Sequence, residues 1–229
     1  MTAHAARQLD RFTFFSDAVF AIAITLLVID VHVPHLGSAP DGDYLRALGA
    51  LLPQFFGFAI SFLVIGALWA NHHRLLGLLR AYDPALLWPN LHMLMLVAFM
   101  PFATSFMASA PGRRVPALFY TATLLAVGLL QMRLIARLLA SAELDPALTA
   151  TERAATRWRS LAMPLVSVLA MLAAWLAPLL AYPICVLVAP VSHGFAAWVR
   201  HRAHRAAAGV PAEASARAEP EAPQTGDAP

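Results

Sequence analysis

Phe12 to Val33 reads FTFFSDAVFAIAITLLVIDVHV, and its only full charges are Asp17 and Asp30. As a helix rising 1.5 Å per residue, this stretch reaches about 33 Å, enough to cross a hydrocarbon core about 30 Å thick. Its length, its two carboxylates and the lack of a small-residue cleavage site after the apolar part argue against a removed signal peptide, so it is expected to stay as a first span. Comparable stretches follow at Leu45 to Ala70, Ala85 to Met107 and Val115 to Met132. The last apolar block, Leu161 to Val199, would measure about 58 Å as one helix, roughly twice the core, and is expected to be two spans, 161–179 and 182–199. Pro178, Tyr182 and Pro183 mark the turn between them, and Pro164 and Pro190 imply kinks, because proline lacks the helical donor. The expected fold is an all-α integral membrane protein with six transmembrane helices in residues 1–205.

The rest of the composition agrees. Of 229 residues 60% are hydrophobic and 13% charged, with a mean hydropathy of +0.66, whereas a soluble domain dresses its surface with roughly 25% charged residues. Sixteen basic residues, all arginine, against thirteen acidic ones give a net charge of +3 without a basic tract, a poor nucleic-acid signature. The single Cys185 offers neither an intrachain disulfide nor a metal cluster. Given those spans, thirteen arginines fall on one side and only Arg46, Arg113 and Arg114 on the other, which places both termini in the cytoplasm of a multi-pass cell-membrane protein. Trp69, Trp88, Trp158 and Trp198 fall at the same cytoplasmic ends, where indole rings anchor. The connector Arg133 to Arg159 reads as a cytoplasmic helical hairpin or an interfacial helix, and residues 206–229 as a disordered tail with too little apolar surface to order.

Ionisable groups inside a span are costly and ask for partners. Asp17 lies about 8 Å and His92 about 10 Å below the cytoplasmic boundary of their spans. His72 and His73 close the second span at that level, so Ser16, Asp17, His72 or His73, Asn90 and His92 are candidates for one hydrogen-bonded cluster. It is either a structural staple or a proton or ion site. Adjacent histidines point about 100° apart and cannot both face one metal ion. No HExxH, GxSxG, catalytic carboxylate pair or phosphate-cradling loop occurs, so no enzyme, cofactor or metal site is expected. Asp30, near the outer end, is an interfacial carboxylate or an attractor of cations toward a pore.

Residues 11–27, RFTFFSDAVFAIAITLL, carry Arg11, Phe15, Ser16 and Asp17 in an RxxxFSD pattern that resembles the signature of the transmembrane protein 175 potassium channels, in their bacterial branch. Trp69-Ala70-Asn71-His72-His73-Arg74, Asn90-Leu91 and Phe99-Met100-Pro101-Phe102-Ala103-Thr104 are similar to further stretches of that family. The resemblance covers the first half of the chain. It implies a homotetramer of six-span subunits in the lipid bilayer, with a pore lined by the first helix and a modest preference for potassium over sodium. It also implies that Arg11, Phe15, Ser16, Asp17, Trp69, Asn90 and His72 or His73 hold the first three helices together. The constriction it implies is hydrophobic and falls on Ile22, Thr25 or Leu26, and Ile29.

Those four positions stand at i, i+3, i+4 and i+7, one stripe of a helix, and Asp17 lies about 140° from Ile22. One orientation therefore serves both pore and staple. Large aliphatic side chains can gate by dewetting, and Thr25 hydroxyls can contact permeant K+. No TVGYG-like filter is present, and no span carries the spaced arginines of a voltage sensor. Ala103 stands where a second proline would be expected, and Leu76 where an aromatic often follows the paired histidines. The competing readings are a proton-coupled secondary transporter using Asp17 and His92, and a membrane scaffold that transports nothing.

Overall fold

Inside a bilayer no water is at hand for backbone N–H and C=O groups, and a helix is the element that satisfies them within one segment. The computed structural model describes residues 3–32 and 35–208, and every named element among them is helical. The helices are α1 (Ala3–Leu26), α2 (Asp41–Ala50), α3 (Leu52–Leu76), α4 (Leu87–Ser109), α5 (Arg114–Leu139), α6 (Ala150–Arg159), α7 (Ala162–Leu176), α8 (Pro178–Val186) and α9 (Val188–Ala208), with a 3₁₀ turn at Pro84–Leu86. Among the described residues, Leu52–Leu76, Pro84–Ser109, Arg114–Leu139 and Ala150–Leu176 are long and apolar enough to cross a membrane. The pair α8 and α9, bent by 49°, makes a fifth candidate.

Helix ends depart from the apolar stretches where local chemistry overrides composition. α1 stops at Leu26, and the chain closes with the amides of Ile29 and Val31 on the carbonyls of Leu26 and Val28, each at 3.1 Å. Val28, Ile29 and Val31 are β-branched residues, whose restricted χ1 slightly lowers helix propensity. Val33 lies outside the described residues. Leu45 to Ala50 belong to α2, which buries no residue, and a new helix starts at Leu52 with Pro53 in its first turn, where a missing N–H costs nothing.

α5 runs past Met132 to Leu139, since Leu134, Ile135 and Leu138 keep the helical burial period while Arg133 and Arg137 face outward. Residues 133–159 are thus no hairpin of two helices. They comprise the end of α5, an isolated antiparallel bridge between Leu79 and Leu144, and α6 with its Thr149–Glu152 capping box. Of the turn expected at Pro178, Tyr182 and Pro183, the Pro178 end coincides with a break, while Tyr182 and Pro183 lie inside a helix. The breaks fall at Ala177, whose φ of −145° leaves the helical region, and at Leu187, while Pro178 opens α8 and Pro183 stays inside it. Ala206, Ala207 and Ala208 complete α9, and the rest of the expected disordered tail lies outside the described residues.

The core sits on α4 and α5. Met93, Val97 and Met100 of α4 pack with Tyr120, Leu124, Val127 and Leu134 of α5, all fully buried. Three hydroxyls run through it in series: Tyr120 Oη lies 3.0 Å from Ser61 Oγ, which lies 2.8 Å from Thr104 Oγ1, itself 2.9 Å from the carbonyl oxygen of Met100. The series ties α3, α4 and α5 together, and each of its three hydroxyls finds a partner in the apolar interior. α7 approaches α5 at Gly128, where a Cβ would lie 2.9 Å from Met163 Cγ and 3.0 Å from the Pro164 ring and backbone nitrogen.

Gly128→Val is therefore expected to force α5 and α7 apart, at a cost of about 1–3 kcal/mol. In detergent this lowers Tm by roughly 2–4 °C per kcal/mol for a chain of this size. Gly66→Ala, where an added Cβ meets nothing within 4 Å, should hold or raise Tm. Equal Tm for Gly128→Val and wild type would contradict the close crossing.

Candidate functional site

α1 divides cleanly into two faces. Phe12, Ser16, Phe20, Ala23 and Leu27 recur at spacings of three and four and are buried against α3 and α4. On the other side Ile22, Leu26 and Ile29 are 58%, 40% and 64% exposed, with Thr25 among them. Ile29 lies beyond the helical end of α1, in the closing turn, and still shares the open side.

The buried face is held by two consecutive polar residues that reach different helices. Asn90 of α4 donates through Nδ2 to Ser16 Oγ at 2.9 Å, and Ser16 Oγ donates to the Phe12 carbonyl at 3.0 Å. Trp69 of α3 donates through Nε1 to Asp17 Oδ1 at 2.8 Å, while His73 Nδ1 stands 4.0 Å from Asp17 Oδ2. A hydrogen bond to an ionised acceptor contributes about 1.5–3 kcal/mol, with the lower end fitting the partly exposed Asp17. The indole of Trp69 also lies against the His73 ring, at 5.7 Å between centroids.

The two histidines separate by role. His73 turns to Asp17, and His72, a residue away and so about 100° around the helix, is buried against Phe20 at 5.4 Å. Neither ring nitrogen of His72 has a hydrogen-bond partner. His92 does not join the cluster: it lies against Trp88 at 6.1 Å. Arg11 and Phe15 stand outside the hydrogen-bonded set, on the open side of a groove of about 380 Å³ that Tyr82 and Asn90 also line. In this chain the residues brought together are Ser16, Asp17, Trp69, His73 and Asn90, with His72 in apolar contact. Tyr82 was not a candidate; it packs on Phe12 at 5.4 Å from a connector that shows no periodicity.

Thr25 has a specific chemistry. Its hydroxyl donates back to α1, at 3.0 Å from the Ala21 carbonyl and 2.9 Å from that of Ile22. With the proton engaged, the oxygen retains acceptor lone pairs on the open side, a group that can face a cation. Among the described residues no group of three or more His, Cys, Asp or Glu gathers to hold a metal ion.

Comparison with known proteins adds the following. Residues 11–101 match the family model described as endosomal/lysosomal potassium channel TMEM175. The chain is 39% identical over 169 residues to a potassium channel of Streptomyces collinus, covering 70% of this chain and 81% of that one. It is also 39% identical over 127 residues to a potassium channel of Chamaesiphon minutus, covering 54% and 63%. The crystal structure of a lysosomal potassium-selective channel TMEM175 homolog from Chamaesiphon minutus superposes with a TM-score of 0.71 at 30% identity, over 83% of this chain and 98% of that one.

Ser16→Ala strands the buried Asn90 amide and should cost about 1–3 kcal/mol, read as a fall in Tm. In Ser16→Ala with Asn90→Leu, part of that loss should return, because no amide is left unmatched. A double-mutant cycle with purely additive losses would mean that the two side chains do not interact.

Proposed function

This chain belongs to the endosomal/lysosomal potassium channel TMEM175 family, a family of ion channels and not of enzymes, and on that premise we propose that it forms a potassium-permeable pore in the cell membrane. The proposed assembly is a homotetramer of six-span subunits with cytoplasmic termini, each α1 facing the central axis. One observation carries the proposal: the face of α1 opposite its clamped side is an apolar stripe of Ile22, Leu26 and Ile29, with Thr25 between, that is left exposed among the described residues. A soluble protein would avoid such a stripe, and a lipid-facing one gains nothing from a hydroxyl set among the aliphatic side chains.

Four copies of Ile22, Leu26 and Ile29 around an axis make a narrow apolar neck. Water leaves such a neck readily, so small outward movements of α1 wet it and inward ones dry it, which gates ion passage without a plug. Thr25, its proton held by its own helix, offers one oxygen per subunit to an ion that has shed part of its hydration shell. Four neutral hydroxyls form a weak, adaptable ligand ring, in keeping with weak to moderate preference for K+ over Na+. The pairs from Ser16 and Asp17 set the rotation of α1 and so decide which residues meet at the axis. A titrating Asp17–His92 relay finds no support, as Asp17 meets Trp69 and His73 while His92 meets Trp88.

Purified protein in planar bilayers under a potassium and sodium gradient should give discrete openings with a reversal potential displaced toward that of potassium. Ile22→Asn should hold water in the neck and give longer openings with a smaller displacement. Silence from wild type and variant alike, with the oligomer intact by size, would overturn the pore and favour a scaffold.

A further inference from the structure

Between the end of α5 and the junction of α6 with α7 lies a groove of about 640 Å³, within the roughly 300–1,000 Å³ over which proteins hold small ligands. Its α5 wall is one helical stripe, Met132, Ile135, Ala136, Leu139 and Ala140, at i, i+3, i+4, i+7 and i+8. Leu161, Ser160, Trp158 and Arg157 form the facing wall. Trp158 leans on Phe195 and Trp198, at 6.4 and 5.7 Å between ring centroids, and keeps 43% of its surface open. The Ser160 hydroxyl donates to the Arg157 carbonyl at 2.7 Å. The Arg157 guanidinium is therefore the one charged group set against an otherwise mostly hydrocarbon lining.

That guanidinium is exposed and makes neither an ion pair nor a side-chain hydrogen bond among the described residues. The same holds for Arg153, one turn earlier on α6, and for Arg133 and Arg137, one residue on from Met132 and Ala136 on α5. The neighbouring carboxylate, Glu152, is turned to the amide and hydroxyl of Thr149 in the helix cap. Four uncompensated positive charges thus stand at the level of one apolar groove. The level is that of the membrane surface, because the apolar stretch of α5 ends near Met132 and that of α7 begins at Leu161.

Three occupants would answer the charge, and the apolar floor chooses among them. A free anion would leave the aliphatic wall wet. Residues 209–229 carry Glu213, Glu219, Glu221 and Asp227, but no aliphatic side chain longer than Val210 to lay along it. An anionic phospholipid brings both parts at the right depth, an acyl chain and a phosphate whose oxygens a guanidinium fork binds bidentately. We propose that this groove binds one anionic phospholipid, with an acyl chain along the α5 stripe and the phosphate at Arg157. Arg133, Arg137 and Arg153 add to the field that selects a negative headgroup over a zwitterionic one. The site does not depend on conduction, so its failure would leave the pore reading standing, and the reverse.

The full chain in detergent, delipidated and titrated with phosphatidylglycerol or phosphatidylcholine, should show a saturable rise in Tm with phosphatidylglycerol alone. Arg157→Gln should weaken the apparent affinity about fivefold, the effect of one arginine beside an anionic lipid. Ala136→Phe, at an exposed position of the stripe, fills the groove while keeping every arginine, and should abolish the rise. If it does not fold, Ala140→Phe, also exposed, takes its place. Glycerol 3-phosphate, a phosphate headgroup without chains, should have no effect at the same concentrations. Absence of the rise overturns the proposal, as does a rise that the phenylalanine variant leaves unchanged, which would be attraction to the basic surface alone. An equal rise with glycerol 3-phosphate overturns it in favour of a free anion. A fall in the Tm of Arg157→Gln before any lipid is added overturns it in favour of an acidic segment of the chain itself.

Discussion

The azimuth of α1 is the constraint on which the open stripe depends. Ser16 and Asp17 are neighbours in sequence and about 100° apart on the helix, and each is bonded to a different partner helix, Asn90 of α4 and Trp69 of α3. Two bonds at that angle triangulate the helix: a rotation that keeps one breaks the other. The Asn90–Ser16 bond is buried, where water does not replace a broken bond, so it holds the rotational setting more firmly than shape alone would. Phe12, Phe20, Ala23 and Leu27 then fill the space beneath, and Ile22, Leu26 and Ile29 are left facing away.

That clamp is useful only if α3 and α4 are themselves fixed. The hydroxyl series from Tyr120 through Ser61 and Thr104 to the Met100 carbonyl binds both to α5 within the buried core. α5 in turn is seated against α7 at Gly128, where the absence of a side chain lets the backbones approach. The close crossing at Gly128 and the interhelical hydrogen bonds thus form a chain of supports running from α7 to α1. In apolar surroundings, where burial of hydrocarbon distinguishes little between one helix contact and another, close packing and hydrogen bonds decide which faces meet.

The last turns of α3 serve both sides of this arrangement. One face contributes Trp69 and His73 to the clamp, the other contributes Asn71 and Arg74 to the cavity behind it. The two faces share one helical turn, so the cavity of about 200 Å³, which Gln131 also lines, borders the clamp through helical backbone rather than through a loop. The Arg159 wall of that cavity lies where α6 meets α7, and α6 is a helix begun by a full capping box rather than an extension of the core.

By itself the sequence determined the helical class, the apolar stretches and the RxxxFSD segment, because each is a matter of composition or of order along the chain, whereas the stripe at Ile22, Thr25, Leu26 and Ile29 was singled out by the family resemblance, since any apolar helix carries such a spacing somewhere. A count of residues from span ends also put Ser16, Asp17, His72 or His73, Asn90 and His92 at comparable depths, while Trp69 joined the set through the family resemblance. Only the tertiary structure decided that His73 and not His72 turns to Asp17, that His92 lies against Trp88, and that Arg11 and Phe15 stand apart from the bonded set. Periodicity reports which face of a helix is apolar, but not which neighbour that face meets. The same reason hid the Gln131 cavity, whose polar residues come from four helices and have no common spacing. The break at Ala177 was marked in the sequence by Pro178, whereas those at Leu51 and Leu187 fall at leucines whose residue type carries no break signal.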